Sequence, residues 1–186
     1  MAFSVEQLHF TPSDEANQLL ARDPLALLIG FALDQQVTVQ TAFAGPQKLK
    51  ERLGKLDATA IAQMDPAELE AAFREKPAVH RFPGNMARRV QELCAALVDD
   101  YDGRAERVWT EAADGDDLQT RIGALPGFGE MKTTSLGAVL AKRFGVSAAE
   151  PLVPNHPTLG DVDSAEALAR YQEAKRARKA KLRAQA

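Results

Sequence analysis

The sequence predicts an all-α protein, and three observations carry that prediction. Apolar residues recur three or four apart nearly everywhere, few runs alternate with the period of two that a half-buried strand needs, and aromatic content is only 6%. With 45% hydrophobic and 26% charged residues in a chain of 186, there is apolar surface for one globular domain or two small lobes sharing a core. Disorder throughout is excluded.

Taken in order, residues 11–14 signal a helix start over 15–20, and Pro24 suits the first position of the next helix. Residues 25–33 are apolar on every side, so this helix is expected at the centre of the core rather than on a surface. Asp34, Gln35 and Gln36 end the apolar run. A helical pattern resumes over 37–43, is punctuated at Gly45-Pro46, and restarts over 47–53 before Gly54. Helices over 57–62 and 65–73 each open on an acidic residue suited to an N-cap. Lys76-Pro77 and Phe82-Pro83-Gly84 bracket a loop, after which Gly84 or Asn85 starts a helix over 86–101. Its Val90, Leu93, Cys94, Leu97 and Val98 form one apolar stripe, with Arg88, Arg89 and Glu92 opposite. Residues 103–116 read as irregular around a core Trp109, and Asp116-Asp117 cap a short helix through Ile122. After Leu125-Pro126-Gly127-Phe128-Gly129 a helix runs over 130–144 and stops at Gly145. Three prolines in 150–158 exclude regular helix there, and Asp163-Ser164 cap a last helix over 165–183.

Composition narrows the function classes. No stretch approaches the roughly 20 apolar residues of a membrane span, and Met1 to Thr11 lacks the pattern of a signal peptide, so an intracellular, cytoplasmic location is expected, nucleoid-associated in a bacterium. A single cysteine, Cys94, supplies neither an internal disulfide nor the thiolates of an iron-sulfur cluster. His9, His80 and His156 are scattered without helical pairing, which argues against zinc. The net charge is −3, but seven Lys/Arg against one Glu give residues 170–186 a charge of +6 and leave the preceding 169 at −9. A mildly acidic total therefore conceals a basic tail, for which phosphate binding and a solvated helix end are both open readings.

The most informative stretch is 122–140. Glycines at 127 and 129 free the turn of side chains and of Cβ restrictions, and the unpartnered amides opening the next helix lie at the positive end of its dipole. An anion such as a phosphate oxygen fits there, with Lys132 in the first turn. This pattern resembles the helix-hairpin-helix motif of the base-excision DNA glycosylase superfamily (HhH-GPD) related to endonuclease III and the alkyladenine glycosylases. Two upstream segments support the resemblance. Residues 29–39, through Asp34-Gln35-Gln36, look like the family's buried helix ending in a glutamine, and 82–103 resembles the helix leading into the hairpin. The similarity covers about two thirds of the chain.

The resemblance implies an all-α, two-lobed helix-hairpin-helix DNA glycosylase fold. A central bundle over 23–140 holds the hairpin, and 1–22 with 141–186 form a smaller lobe. It implies a base-excision repair protein that hydrolyses the N-glycosidic bond of a damaged base in double-stranded DNA, acting as a monomer, with no membrane. Gly127, Phe128, Gly129, Met131, Lys132 and Thr133 would contact the backbone, and Gln35 or Gln36 would fill the gap left by the flipped nucleotide. The carbonyls of Leu125 and Gly127 would hold a monovalent cation, as in the family; no other cofactor is expected.

The chemistry matches less well. Such enzymes place a carboxylate under a cationic, oxocarbenium-like transition state. In the family this is an Asp in a Val-Asp-x-His-like turn; here Val153-Pro154-Asn155-His156 puts Pro154 at that place. Glu150, Asp161 and Asp34 are the alternative acids, with Asp163 beside the last cap. The lysine that serves as nucleophile in strand-cleaving members falls on Met131, and Lys132 is one residue late, about 100° round the helix. Lys132 is accordingly expected to face phosphate, Met131 a pocket or the core, and lyase activity is not expected. Two other readings stay open: a silent helix-hairpin-helix protein that recognises lesions or abasic sites, and a protein-interaction domain.

Overall fold

Seven of the ten α-helices among the described residues begin where a polar side chain takes one of their free first amides. In the computed structural model, which describes residues 5–186, Ser13 caps α1 (Asp14–Arg22), and the Asp23 carboxylate accepts from Leu25 N at 2.9 Å to open α2 (Pro24–Leu33). Thr38, Asp57, Asp65 and Asp114 cap α3 (Val39–Leu53), α4 (Ala58–Gln63), α5 (Pro66–Arg74) and α8 (Gly115–Gly123) in the same way. Proline at the first helical position starts α6 (Pro83–Tyr101), and α7 (Arg107–Thr110) is a single turn. After α9 (Glu130–Phe144) come two short 3-10 helices, Ser147–Leu152 and Leu159–Asp161, and then α10 (Ala165–Ala184) behind a Ser164 cap. Among the described residues there is no strand, and no helix is long and apolar enough to cross a membrane. Residues 1–4, placed above in the smaller lobe, lie outside the described residues.

The sequence reading of α2 as the central helix is correct, since every residue from Leu25 to Leu33 is buried. It packs on α1, α3 and α6, while α4 and α5 lie against α6, and α8, α9 and the 3-10 helices pack together. Phe43 of α3 sits edge-on to Phe10 at 4.9 Å and to Phe31 at 5.0 Å, joining three segments in one aromatic cluster. Asn17, buried in α1, laces the preceding segment to the core by accepting from Phe10 N and Thr11 N and donating to Thr11 O. Cys94 is buried in α6, and burial pushes its thiol up to about 12.

Three local expectations are corrected. α3 runs unbroken through Gly45-Pro46. A Cβ on Gly45 would lie 2.4 Å from Leu33 Cδ1, so the glycine serves close approach of α3 to α2, and that burial offsets the hydrogen bond Pro46 cannot make. The stretch 103–116 contains α7, which holds Trp109 in the core. The cap of α8 is Asp114, two residues earlier than Asp116, because its side chain reaches Asp117 N at 2.9 Å.

The contact between α9 and the second 3-10 helix leaves no room at Gly160, where a Cβ would stand 2.6 Å from the Ala138 carbonyl oxygen. Backbone cannot swing away as a side chain can. Gly160→Ala is expected to destabilise by about 1–3 kcal/mol, measured as a lower urea midpoint with unchanged m-value.

Candidate functional site

A helix as apolar as α2 brings no side chain of its own to satisfy its last carbonyls. The amides of Asp34 and Gln35 meet Phe31 O and Leu33 O, and side chains from distant segments supply further donors. Lys132 Nζ, from the first turn of α9, donates to Ala32 O at 3.1 Å. His80 Nε2, from the loop before α6, lies 3.1 Å from Leu33 O and 3.0 Å from Gln35 O. Since Phe82 N donates to His80 Nδ1 at 3.0 Å, the buried ring is the neutral tautomer with its proton on Nε2, and burial holds its pKa below the ordinary value despite those carbonyls.

The turn that follows α2 presents Asp34, Gln35 and Gln36 around this point. Gln36 has φ of 57°, a left-handed conformation that costs a residue with a Cβ about 1–2 kcal/mol, and its side chain is exposed. Gln35 is tethered, its Oε1 accepting from Arg89 Nη1 of α6 at 2.9 Å. The Arg89 side chain also crosses the hairpin, since a Cβ on Gly127 would lie 2.8 Å from Arg89 Cδ. Asp34 stands on the other side, where burial pushes its carboxyl above the ordinary value and the charges of Lys175 and Lys132 only partly oppose this. Burial likewise lowers the Lys132 ammonium, with Asp34 pulling it back up and Arg89 pushing it further down. Tyr171 of α10 is raised by burial and by Asp34.

The hairpin has the shape its glycines imply, but for two different reasons. Gly127 takes φ of 83°, whereas Gly129 takes −77°, a conformation open to any residue, and a Cβ there would meet nothing within 4 Å. Leu125 and Phe128 are buried, and Phe128 N bonds to Leu125 O at 3.1 Å. No side chain caps α9, and its first internal bond runs from Thr133 N to Gly129 O, which leaves the preceding amides without a partner inside the helix. Thr133 is buried, its hydroxyl turned back to Gly129 O at 2.9 Å. Lys132 points inward to α2 rather than out to a phosphate, and Met131 is 83% exposed rather than in a pocket or the core.

Between the turn and α6 lies an open cleft of about 410 Å³ lined by Gln35, Gln36, His80, Phe82, Asn85, Met86, Arg88, Arg89 and Glu92. Phe82 is half-exposed at its rim, with the Arg81 guanidinium 4.9 Å from the ring centroid. The structure thus brings Asp34, Gln35, Gln36, Gly127 and Lys132 to one place. Glu150 is exposed on the 3-10 helix against α8 and α9. Asp161 pairs with Lys142 and accepts from Thr158 N at 2.8 Å. Those hydrogen bonds outweigh its burial and keep its pKa below the ordinary value. Neither acid has a hydrogen bond or ion pair to the end of α2 among the described residues. Arg89 and His80 escaped the sequence reading: Arg89 stood in what looked like a solvent face of its helix, and no spacing marks His80. No group of three or more His, Cys, Asp or Glu fit to hold a metal exists among the described residues.

A family model, described as HhH-GPD superfamily base excision DNA repair protein, matches residues 29–186. Neither the curated proteins nor the solved structures return a match.

The neutral His80 makes a pH dependence of known sign. Its pKa is lower folded than unfolded, so between the two values the unfolded chain binds more protons and stability falls as pH drops. The melting temperature of the wild type is expected to fall between pH 7.5 and 5.5 by about 2–4 °C more than that of His80→Gln. The variant should melt lower at pH 7.5, because a flexible amide does not reproduce the fixed ring that meets two carbonyls and Phe82 N at once.

Proposed function

The chain belongs to the HhH-GPD superfamily of base excision DNA repair proteins, and on that premise we propose that it excises a damaged base from duplex DNA as a hydrolytic glycosylase. What supports this most is the convergence of a half-buried carboxylate, a lysine, two glutamines and the open hairpin at one end of α2.

In this reading a DNA phosphate sits on the amides that open α9, where Gly129 leaves space, and Arg89 faces it from α6. Gln36, exposed on its left-handed turn, enters the gap in the duplex, while Gln35 stays bound to Arg89 and holds the turn. The flipped nucleotide is directed to the cleft, where Phe82 offers an aromatic face. As the C1′–N bond breaks, the base departs with the bonding electron pair and then takes up a proton. Asp34 stabilises the cationic sugar and removes a proton from the water that adds to C1′. Burial raises the pKa of Asp34, and the charges of Lys175 and then Lys132 favour the ionised form against that burial. Glu150 and Asp161 are less suited, one being exposed and the other held by Lys142.

The donors at the hairpin also suit a monovalent cation: Leu125 O accepts one amide and keeps a lone pair, and Gly127 turns the chain beside it. Such an ion would add positive charge toward the phosphate. The central bundle over 23–140 would carry these groups, and 1–22 with 141–186 would complete the second lobe around a monomer bound to duplex. The silent lesion-binding reading draws on one observation, Pro154 standing where the family carries its carboxylate.

Base release from duplexes carrying uracil, alkylated or oxidised bases separates the two. Asp34→Asn is expected to slow release at least about 100-fold while binding to an abasic-analogue duplex is kept; no release by the wild type from any of them selects the silent reading. Stability moves the other way. The folded pKa of Asp34 lies above its unfolded value of 3.8, so its contribution is present below that value and lost as pH rises through the folded pKa. Asp34→Asn should therefore melt about 2–4 °C higher at pH 7.5, with the difference vanishing near pH 4. Gly129→Leu should lower the melting temperature by only a few degrees, since Gly129 is the N-cap of α9 and a side chain there meets open space, and weaken duplex binding about tenfold or more.

A further inference from the structure

The last helix divides at Gln172. Up to that residue it is anchored: Ala167 and Leu168 are buried, and Gln172 exchanges hydrogen bonds of 3.0 and 2.7 Å with Gln40 of α3. From Glu173 to Ala186 every residue is exposed. The projecting part carries six Lys/Arg against one Glu, while the chain before residue 170 sums to −9.

Those charges are not spread evenly around the helix. At about 100° per residue, Lys175, Arg176, Lys179 and Arg183 fall within about 100° of one another on the side of Gln172, and Arg170, Arg178 and Lys181 fall on the opposite side. The stripe begins beside the site, because Gln172 is bonded to Gln40, four residues after Gln36, and the Lys175 charge acts on Asp34. It extends roughly 12 Å from Lys175 to Arg183, the rise of three to four phosphates along one DNA strand. Leu182 is the one large apolar residue exposed there, so the face offers no apolar seam to a protein partner. Like charges three and four apart also repel, and a polyanion relieves that repulsion.

We propose that this stripe of α10 is a second DNA-contact surface, gripping the phosphate backbone of duplex beside the site at the end of α2. The proposal rests on that site being the place where DNA binds.

The test is the salt dependence of binding by the full chain to a fluorescein-labelled duplex carrying a tetrahydrofuran abasic analogue. Anisotropy is read from about 50 to 200 mM KCl, the range over which released counterions dominate the slope. The variant R176Q/K179Q/R183Q should lower the slope of log K against log salt by about two to three, and weaken binding at least about tenfold near 100 mM. The control R170Q/R178Q/K181Q removes the same charge from the opposite side and should change the slope by less than half as much. Equal losses in both variants, or an unchanged slope in the first, overturn the proposal. So does retention of the wild type, but not of the first variant, on phosphatidylserine vesicles while the duplex slope stays constant, which assigns the stripe to a membrane. If the slope falls as expected but no base is released, the glycosylase reading fails and the stripe stands.

Discussion

The carbonyl end of a fully buried helix is the constraint on which the site depends. The turn itself serves Phe31 and Leu33 oxygens through Asp34 N and Gln35 N, while Lys132 donates to Ala32 O and His80 to Gln35 O and, as a second partner, Leu33 O. Each of these two side chains belongs to a segment far away in the chain, and fixing it fixes that segment. Lys132 draws the hairpin helix against the turn, and His80 draws in the entry to α6. Polar satisfaction, together with the burial of Leu125, Phe128 and Leu136, thus places the hairpin opposite the glutamines.

How much of this could be read beforehand follows from which features are local. The apolar run at 25–33, the two glycines of the hairpin and the glutamine pair speak through neighbouring residues, and so were legible. Gly45-Pro46 misled because a close approach between two helices outweighs the local signal of a break. Arg89 and His80 reach the site through partners 54 and 45 residues away, and a single sequence does not display such pairs. Lys132 was seen, but its direction is set by the vacancy at the end of α2 and not by its own helix.

The electrostatics of the site run against folding. A carboxyl with a raised pKa beside an ammonium with a lowered one means that burial taxes both charges and each offsets part of the other's penalty. A protein selected for stability alone would place neutral groups there. Their retention near a left-handed Gln36 is the pattern expected where chemistry or recognition has priority over stability.

The thiol of Cys94 has a bearing on the conditions under which such a protein works. With a pKa near 12 and no exposed sulfur, its reactive anion is scarce by about five orders of magnitude at neutral pH. Peroxides and other oxidants, the same agents that injure nucleobases, find no ready target in it. Only when the packing around α6 opens can an alkylating reagent reach the sulfur, so the chain carries its own built-in reporter of that opening.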